Sequence, residues 1–447
     1  MRKYRIIAYV TIIIVLMTMQ HSWASNSAFS SDYVRILLVK TDRSGNFLWK
    51  WSTIRESAAF MKSVIELGDG SYLIFGLTQG TYGWGDVEFI RINNEGKLLW
   101  NQTWGYNHFS NYSPLIQTSD GGALIAGYFS QDNNIDDFSL IKFDNTGEFQ
   151  WKKLVNGIKN KPSRVTAVIE TKDGGYFLAG RFFDTNSSDH FPIFFKVDSN
   201  GVVQWNQTLG EGDQVESVIE TVDGYAFAGW TDSYEAIDDD YWLMKMDTNG
   251  QAEWNQTFGG RTDDSVSSLI QTADGGFLLA GESYDTEEYT SKIWIVKTDK
   301  KGNEEWNQTY AGLGLDSILI ITSDNGYTLI GTTNPYISSV ESFNMLLIKI
   351  DNTGTEQWNQ TYGTTSSDSV SQTHAKDGIL TSDGGYLLLG TEMGFDPFLL
   401  SSPSTLPQTH PTPSSAISRL LIFLFFIVLI ALTIEFNRRV RNRNEDR

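Results

Sequence analysis

Residues 268–310 read SLIQTADGGFLLAGESYDTEEYTSKIWIVKTDKKGNEEWNQTY, and four β runs lie within them. Ser268 to Thr272 runs into the Asp274-Gly275 turn and Phe277 to Gly281 leaves it; an Asp-Gly pair between apolar runs is the strongest short hairpin signal. These are strands A and B. After a longer connection, Lys292 to Asp299 forms strand C, a Lys-Lys-Gly turn follows, and Glu304 to Tyr310 with its Trp306 forms strand D.

The unit returns along the chain. Its A–B turn recurs at Asp69, Asp120, Asp173, Asp223, Asp324 and Asp383. The basic residue of strand C recurs as Lys40, Arg91, Lys142, Lys196, Lys245 and Lys349, and the tryptophan of strand D as Trp49, Trp100, Trp151, Trp205, Trp254 and Trp358. Successive tryptophans stand 49 to 54 residues apart, and four antiparallel strands at such a period are the mark of a β-propeller blade. The chain begins at Asp32 with strands C and D alone, runs through six complete units, and stops after strands A and B at Gly390. Two half-units at opposite ends add to one blade. A ring closed by pairing them leaves no exposed sheet ends, whereas a linear solenoid would need caps. The expected fold is therefore all-β: a seven-bladed propeller closed by N-terminal strands C and D on C-terminal strands A and B. The glycine after strand B (Gly76, Gly127, Gly180, Gly229, Gly281, Gly331, Gly390) is expected to allow tight packing between blades.

Asp144-Asn145-Thr146-Gly147-Glu148-Phe149-Gln150-Trp151 and Asp351-Asn352-Thr353-Gly354-Thr355-Glu356-Gln357-Trp358 resemble the tryptophan-docking repeat of quinoprotein-like propellers. The whole unit is similar to repeats of uncharacterised prokaryotic, especially archaeal, secreted propeller proteins. That resemblance implies a fold and little about activity. Quinoprotein dehydrogenases usually have eight blades and a cofactor site that often carries a vicinal cysteine pair, whereas this chain has seven units and no cysteine, so no cofactor is expected. Sialidase propellers have a closer Asp-to-Trp spacing and an arginine triad; here the spacing is seven residues in every unit, and the body's seven arginines crowd its first half.

Both ends read as a membrane address. Arg2, Lys3 and Arg5 precede the apolar run Ile6 to Met19, and Ser22-Trp23-Ala24 offers small residues for cleavage, so residues 1–24 are expected to be a signal peptide, with a retained anchor as the alternative. Residues 25–393 form the propeller ectodomain and residues 394–415 a Ser/Thr/Pro-rich stalk. Residues 416–436 are long enough to cross a bilayer once, and the arginines of residues 437–447 place that tail in the cytoplasm. A processed sorting signal replaced by a lipid is the other reading of this end. Residues 25–415 hold 25 basic and 51 acidic side chains, a net of −26, which predicts repulsion from nucleic acid and acidic lipid.

Asn101, Asn206, Asn255, Asn307 and Asn359 head sequons directly after a strand-D tryptophan, and Asn111 and Asn186 head two more. Alternation along the strand turns each such asparagine away from its tryptophan, so an inward tryptophan leaves an outward glycan acceptor. The tryptophan series is expected to be interblade core. Each strand-C Lys is expected to pair with the Asp two residues on. His108, His190 and His374 lie in separate units, so no metal site is expected. The A–B and C–D turns are short and uniform, whereas the B–C and D–A connections vary and emerge together on the other face. Function sits on such loops, and their candidate ligand-binding residues are Trp84, Phe129, Trp230, Tyr234, Asp238, Asp239, Asp240 and Tyr284. With no catalytic constellation visible, the expectation is a non-enzymatic cell-surface module binding a glycan or protein. The alternatives are an extracellular polysaccharide lyase or glycoside hydrolase using funnel carboxylates, and a structural envelope protein.

Overall fold

The structure is a computed structural model and describes residues 34–55, 59–78, 84–110, 114–127, 130–131, 134–135, 139–155, 163–183, 190–209, 214–232, 239–260, 263–285, 290–333, 343–363 and 372–393. The expected signal peptide (1–24), stalk (394–415), membrane segment (416–436) and tail (437–447) lie outside these residues. No helix among the described residues is long and apolar enough to cross a membrane.

Seven four-stranded antiparallel sheets form the body. Blade I joins the two ends of the chain: Gln372–Leu380 and Tyr386–Met393 supply strands A and B, Val34–Thr41 and Phe47–Arg55 strands C and D. Val34 to Thr41 pairs residue by residue with Met393 to Tyr386 without a bulge. Blades II to VII follow in chain order and begin at Ala59, Leu115, Ser163, Gln214, Asp263 and Leu313. In the repeat that opened the sequence reading, strands A to D span Asp263–Gln271, Phe277–Asp285, Thr290–Thr298 and Glu304–Tyr310. Strands A and B thus reach further towards the variable face than the sequence suggested. A two-stranded ribbon, Ser130–Gln131 with Asn134–Ile135, decorates the B–C connection of blade III.

The A strands touch their neighbours all the way round, including Gln372–Leu380 against Ala59–Glu66, so they surround the axis. Strands B and C are apolar on both faces because both pack against neighbouring sheets, as the fully buried Met345–Ile350 illustrates. Seven buried clusters result, one at each junction. The one that seals the ring sets Leu37, Val39 and Leu388 of blade I against Ile330, Met345 and Leu347 of blade VII.

Each recurrent tryptophan faces the next blade, as expected of interblade core. Trp205 lies over Gly250, whose added Cβ would come within 2.5 Å of the ring, and Trp254, Trp306, Trp358 and Trp49 stand likewise over Gly302, Gly354, Gly45 and Gly96. These glycines close the C–D turns with φ of 77° to 81°, so a left-handed backbone and the docking ring both require that no side chain be present. Trp49 also donates its indole N–H to the Asn94 carbonyl, 3.0 Å away. The strand-B glycine acts differently from expectation. At Gly180, Gly229 and Gly281 a Cβ would strike a carbonyl of strand A in the same sheet, where a bulge brings that strand inward. Room within the blade explains Gly180 and Gly229, whereas Gly281 also approaches the Tyr241 hydroxyl and Gly390 approaches Met345 of the neighbouring blade, as expected of interblade packing.

Candidate functional site

The plain face is occupied by its own structural chemistry. Each strand-C lysine is buried and reaches the A–B-turn aspartate of its own blade: Lys40 to Asp383, Lys142 to Asp120, Lys196 to Asp173, Lys245 to Asp223, Lys297 to Asp274 and Lys349 to Asp324, at 2.8 to 3.0 Å. The expected pairing with the Asp two residues on is therefore corrected. That Asp folds back on its own turn instead: Asp42 accepts the amides of Ser44 and Asn46 at 2.8 and 2.9 Å. Its charge is used in an Asx turn before any lysine can claim it. In blade II, Ser71 stands where most blades have the second turn glycine, and Arg91 replaces the lysine, bonding both Ser71 and Asp69.

These pairs set an acid limit. For Asp173 partial burial opposes ionisation, but bonds from Lys196, Thr171 and the Gly175 amide outweigh it and hold the carboxyl at about 2. Asp274 and Asp383 behave alike, and at Asp324 the Thr322 bond leads in holding the value at about 2. A carboxyl lowered by folding stabilises above its unfolded value and loses that contribution as pH falls, so stability should drop between about pH 4 and 2. Asp377 has the opposite sign. At the blade I–II junction burial raises its carboxyl to about 6 against bonds from Ser63 and the amides of Val64 and Gly378. Its contribution is complete below about pH 4 and is lost as pH rises through 6. Asp377→Asn should flatten the denaturation midpoint between pH 4 and 6; an unchanged slope there would contradict the assignment.

On the variable face, Phe129, Tyr234 and Asp238 lie outside the described residues. Trp84 begins strand C of blade II, opposite Ser110, rather than standing in a loop. The other four lie at the variable-face ends of blades V and VI. Trp230 ends strand B of blade V, half-buried, opposite Gln214 and Tyr241. Tyr284, also half-buried, lies in strand B of blade VI between Asp263 and Ser291. The Asp239 carbonyl accepts the Asp264 amide at 2.6 Å and ties the two blades. Asp240 is corrected: it belongs to strand C, is only 7% exposed, and its carboxylate lies where a Cβ on Gly259 would otherwise stand.

The sequence reading missed Asp264, Glu282, Tyr241 and Trp294, which belong to the same place. Tyr241 is fully buried, donates its hydroxyl to the Trp294 carbonyl at 3.0 Å and lies 4.5 Å from the Trp294 ring. Burial first, then the charges of Asp264 and Glu282, pushes its phenol well up. The Asp263-Asp264 pair that opens strand A and Glu282 after Gly281 were visible signals, but they fall in strands and not in the loops that drew attention. Asp264 and Tyr241 are buried beneath these blade ends, so what they offer outward is the half-buried Trp230, Asp239, Glu282 and Tyr284, rings and carboxylates suited to stacking and to accepting hydrogen bonds from hydroxyls.

A cavity of about 720 Å³ opens on the plain face between the A–B turns of blades II and III, lined by Gly68, Asp69, Arg91, Gln117, Ser119 and Asp120. At other junctions a glutamate closes this gap: Glu66 accepts from Ser382, Glu170 from Ser119 and Glu220 from the Lys172 amide. Gly68 and Gln117 occupy those positions here. Arg91 and Asp120 are already paired within their own blades, so the cavity offers little uncommitted charge. No group of three or more potential metal-ligating side chains occurs among the described residues.

The seven sheets and their closure define a seven-bladed β-propeller. No family model and no curated protein matches the sequence. Among solved structures, the chain is similar to a protein of unknown function from Dyadobacter fermentans, at 14% identity over 75% of this chain and 94% of that one, with a TM-score of 0.42. It is also similar to Synechocystis apocarotenoid oxygenase, at 12% identity over 56% and 61% of the two chains, TM-score 0.37. A neuraminidase-like protein of A/little yellow-shouldered bat aligns at 11% identity over 80% and 97%, TM-score 0.33. Likeness at these values carries no argument about activity.

Proposed function

We propose that the protein is a membrane-anchored extracellular recognition module whose variable face binds a glycan. The observation that carries this is the placement of Trp230 and Asp239 of blade V and Tyr284 of blade VI at the variable-face ends of two neighbouring blades, which the Asp239 carbonyl and the Asp264 amide tie together. Half-exposed rings give flat apolar area at small entropic cost, and neighbouring carboxylates and carbonyls accept sugar hydroxyls. The anchor is the apolar segment 416–436, with residues 394–415 as its stalk and a signal peptide at residues 1–24. We assign the repeats to the quinoprotein-like, tryptophan-docking type on the contact of Trp49, Trp205, Trp254, Trp306 and Trp358 with the next blade's turn glycine. The exposed strand-D sequon asparagines of blades IV to VII, Asn206, Asn255, Asn307 and Asn359, are assigned as glycan carriers.

The test uses the full chain in detergent against an array of glycans, with product release monitored in parallel. Trp230→Ala and Tyr284→Ala should each weaken binding about tenfold or more, the scale of a lost anchor residue. Unchanged binding in both would remove the assigned site, and sugar release abolished by Asp239→Asn would favour a hydrolase or lyase.

A further inference from the structure

The seven D strands are one structural position repeated, so each blade is a control for the others. Just before the docking tryptophan, blades VI and VII carry exposed Glu304, Glu305 and Glu356, as expected for an outer strand facing water. Blades I to IV depart from this, with Phe149 at 42% and Leu154 at 49% in blade III and Val202 at 59% in blade IV, but the exposed apolar surface is densest on blades I and II. Phe47 is 56% exposed, Leu48 52%, Leu98 43% and Leu99 50%, and Ile54 continues the outward row of blade I at 41%. Exposed Lys50 and Lys97 lie among them, and Lys50-Trp51-Ser52 replaces the Asn-x-Thr that follows the tryptophan in five other blades. The two strands are neighbours, since Trp49 of blade I docks on Gly96 of blade II.

We propose that this edge rests on a lipid bilayer bearing acidic headgroups. The inference rests on the reading of residues 416–436 as a membrane span. Blade I holds both Val34 and Met393, so it is where the chain leaves the ring. Only the 22 residues 394–415 separate this blade from segment 416–436, so anchoring that segment holds the blade near the surface at high effective concentration. Aromatic and leucine side chains interleaved with lysine are the chemistry of the membrane interface. The net charge of the body argues against acidic lipid in general, and this edge is the local exception that selects an orientation. A second copy meeting the same edge would set lysine against lysine.

The chain has no cysteine, so Leu48→Cys and Glu304→Cys each carry a single environment-sensitive fluorophore on the full-length protein. Both are reconstituted into phosphatidylcholine vesicles with and without phosphatidylserine. The Leu48 label should shift to the blue and be quenched by lipid-borne spin labels, more strongly with phosphatidylserine and less at high salt, while the Glu304 label stays aqueous. Vesicle-bound protein with both labels equally aqueous would overturn the docking and leave the span intact. Protein that fails to float with vesicles would remove the span and the docking together. A concentration-dependent Leu48 shift without lipid would assign the edge to a second copy instead, and a native glycan on Asn101, beside Leu99, would likewise exclude the proposal.

Discussion

Leu389→Asp is expected to shift the entire unfolding transition of the propeller, not a terminal fraction of it. Leu389 is fully buried in the closing strand and packs with Ile36, Leu38, Met61 and Val64 at the blade I–II junction. Losing the leucine alone costs about 2 to 5 kcal/mol, and an unpaired carboxylate in the same space adds to that. Such a loss is comparable with the whole stability of an ordinary domain, roughly 5 to 15 kcal/mol. In a linear array of repeats the damage would stay with the last units, because each contacts only its neighbours. In a ring the last blade is also the first. Circular dichroism and tryptophan fluorescence should therefore lose amplitude together; a partial early transition with the remainder at the wild-type midpoint would contradict closure.

The second large effect separates two reasons for one residue. Gly250 and Gly275 both have left-handed backbones, φ 79° and 85°. A Cβ at Gly275 has only the Lys300 Cβ within reach, at 4.0 Å, whereas at Gly250 it meets Trp205 at 2.5 Å. Alanine at Gly275 should cost only the backbone strain, about 1 to 2 kcal/mol. At Gly250 it must also displace the docking ring, which adds about 1 to 3 kcal/mol. Denaturant midpoints of the two variants report the difference directly. Equal losses would mean that the tryptophan does not hold the blades together.

The ring was legible because the period is simple and its punctuation is chemical. Asp-Gly turns, a glycine at each C–D turn and a tryptophan at a constant offset are local signals, and the half-units at the ends carried the closure. The partner of each lysine was not legible. Two carboxylates lie near it in every repeat, and the choice depends on the Asx turn that satisfies Asp42 and its counterparts first. The site was half legible for a related reason. Trp230 and Tyr284 stand where loops were expected, but strand pairing extends far enough to order them and to bury Asp240. The buried Tyr241 gave no sign, because in sequence an inward strand-C tyrosine looks like any other strand residue, and the Asp263-Asp264 pair was visible but fell in a strand.

Closure itself is measured most directly as a distance. Cysteines in place of Ser44 and Ser382, in the C–D and A–B turns of blade I, accept spin labels on an otherwise cysteine-free chain. In the ring these turns belong to one sheet and stand about two strand spacings apart, ~10 Å before the label linkers are added. In an open stack of the two half-units and six complete sheets at about 10 Å each, they would stand roughly 70 Å apart. A single short distance is the result the account predicts, and a distribution centred near the long value would contradict it.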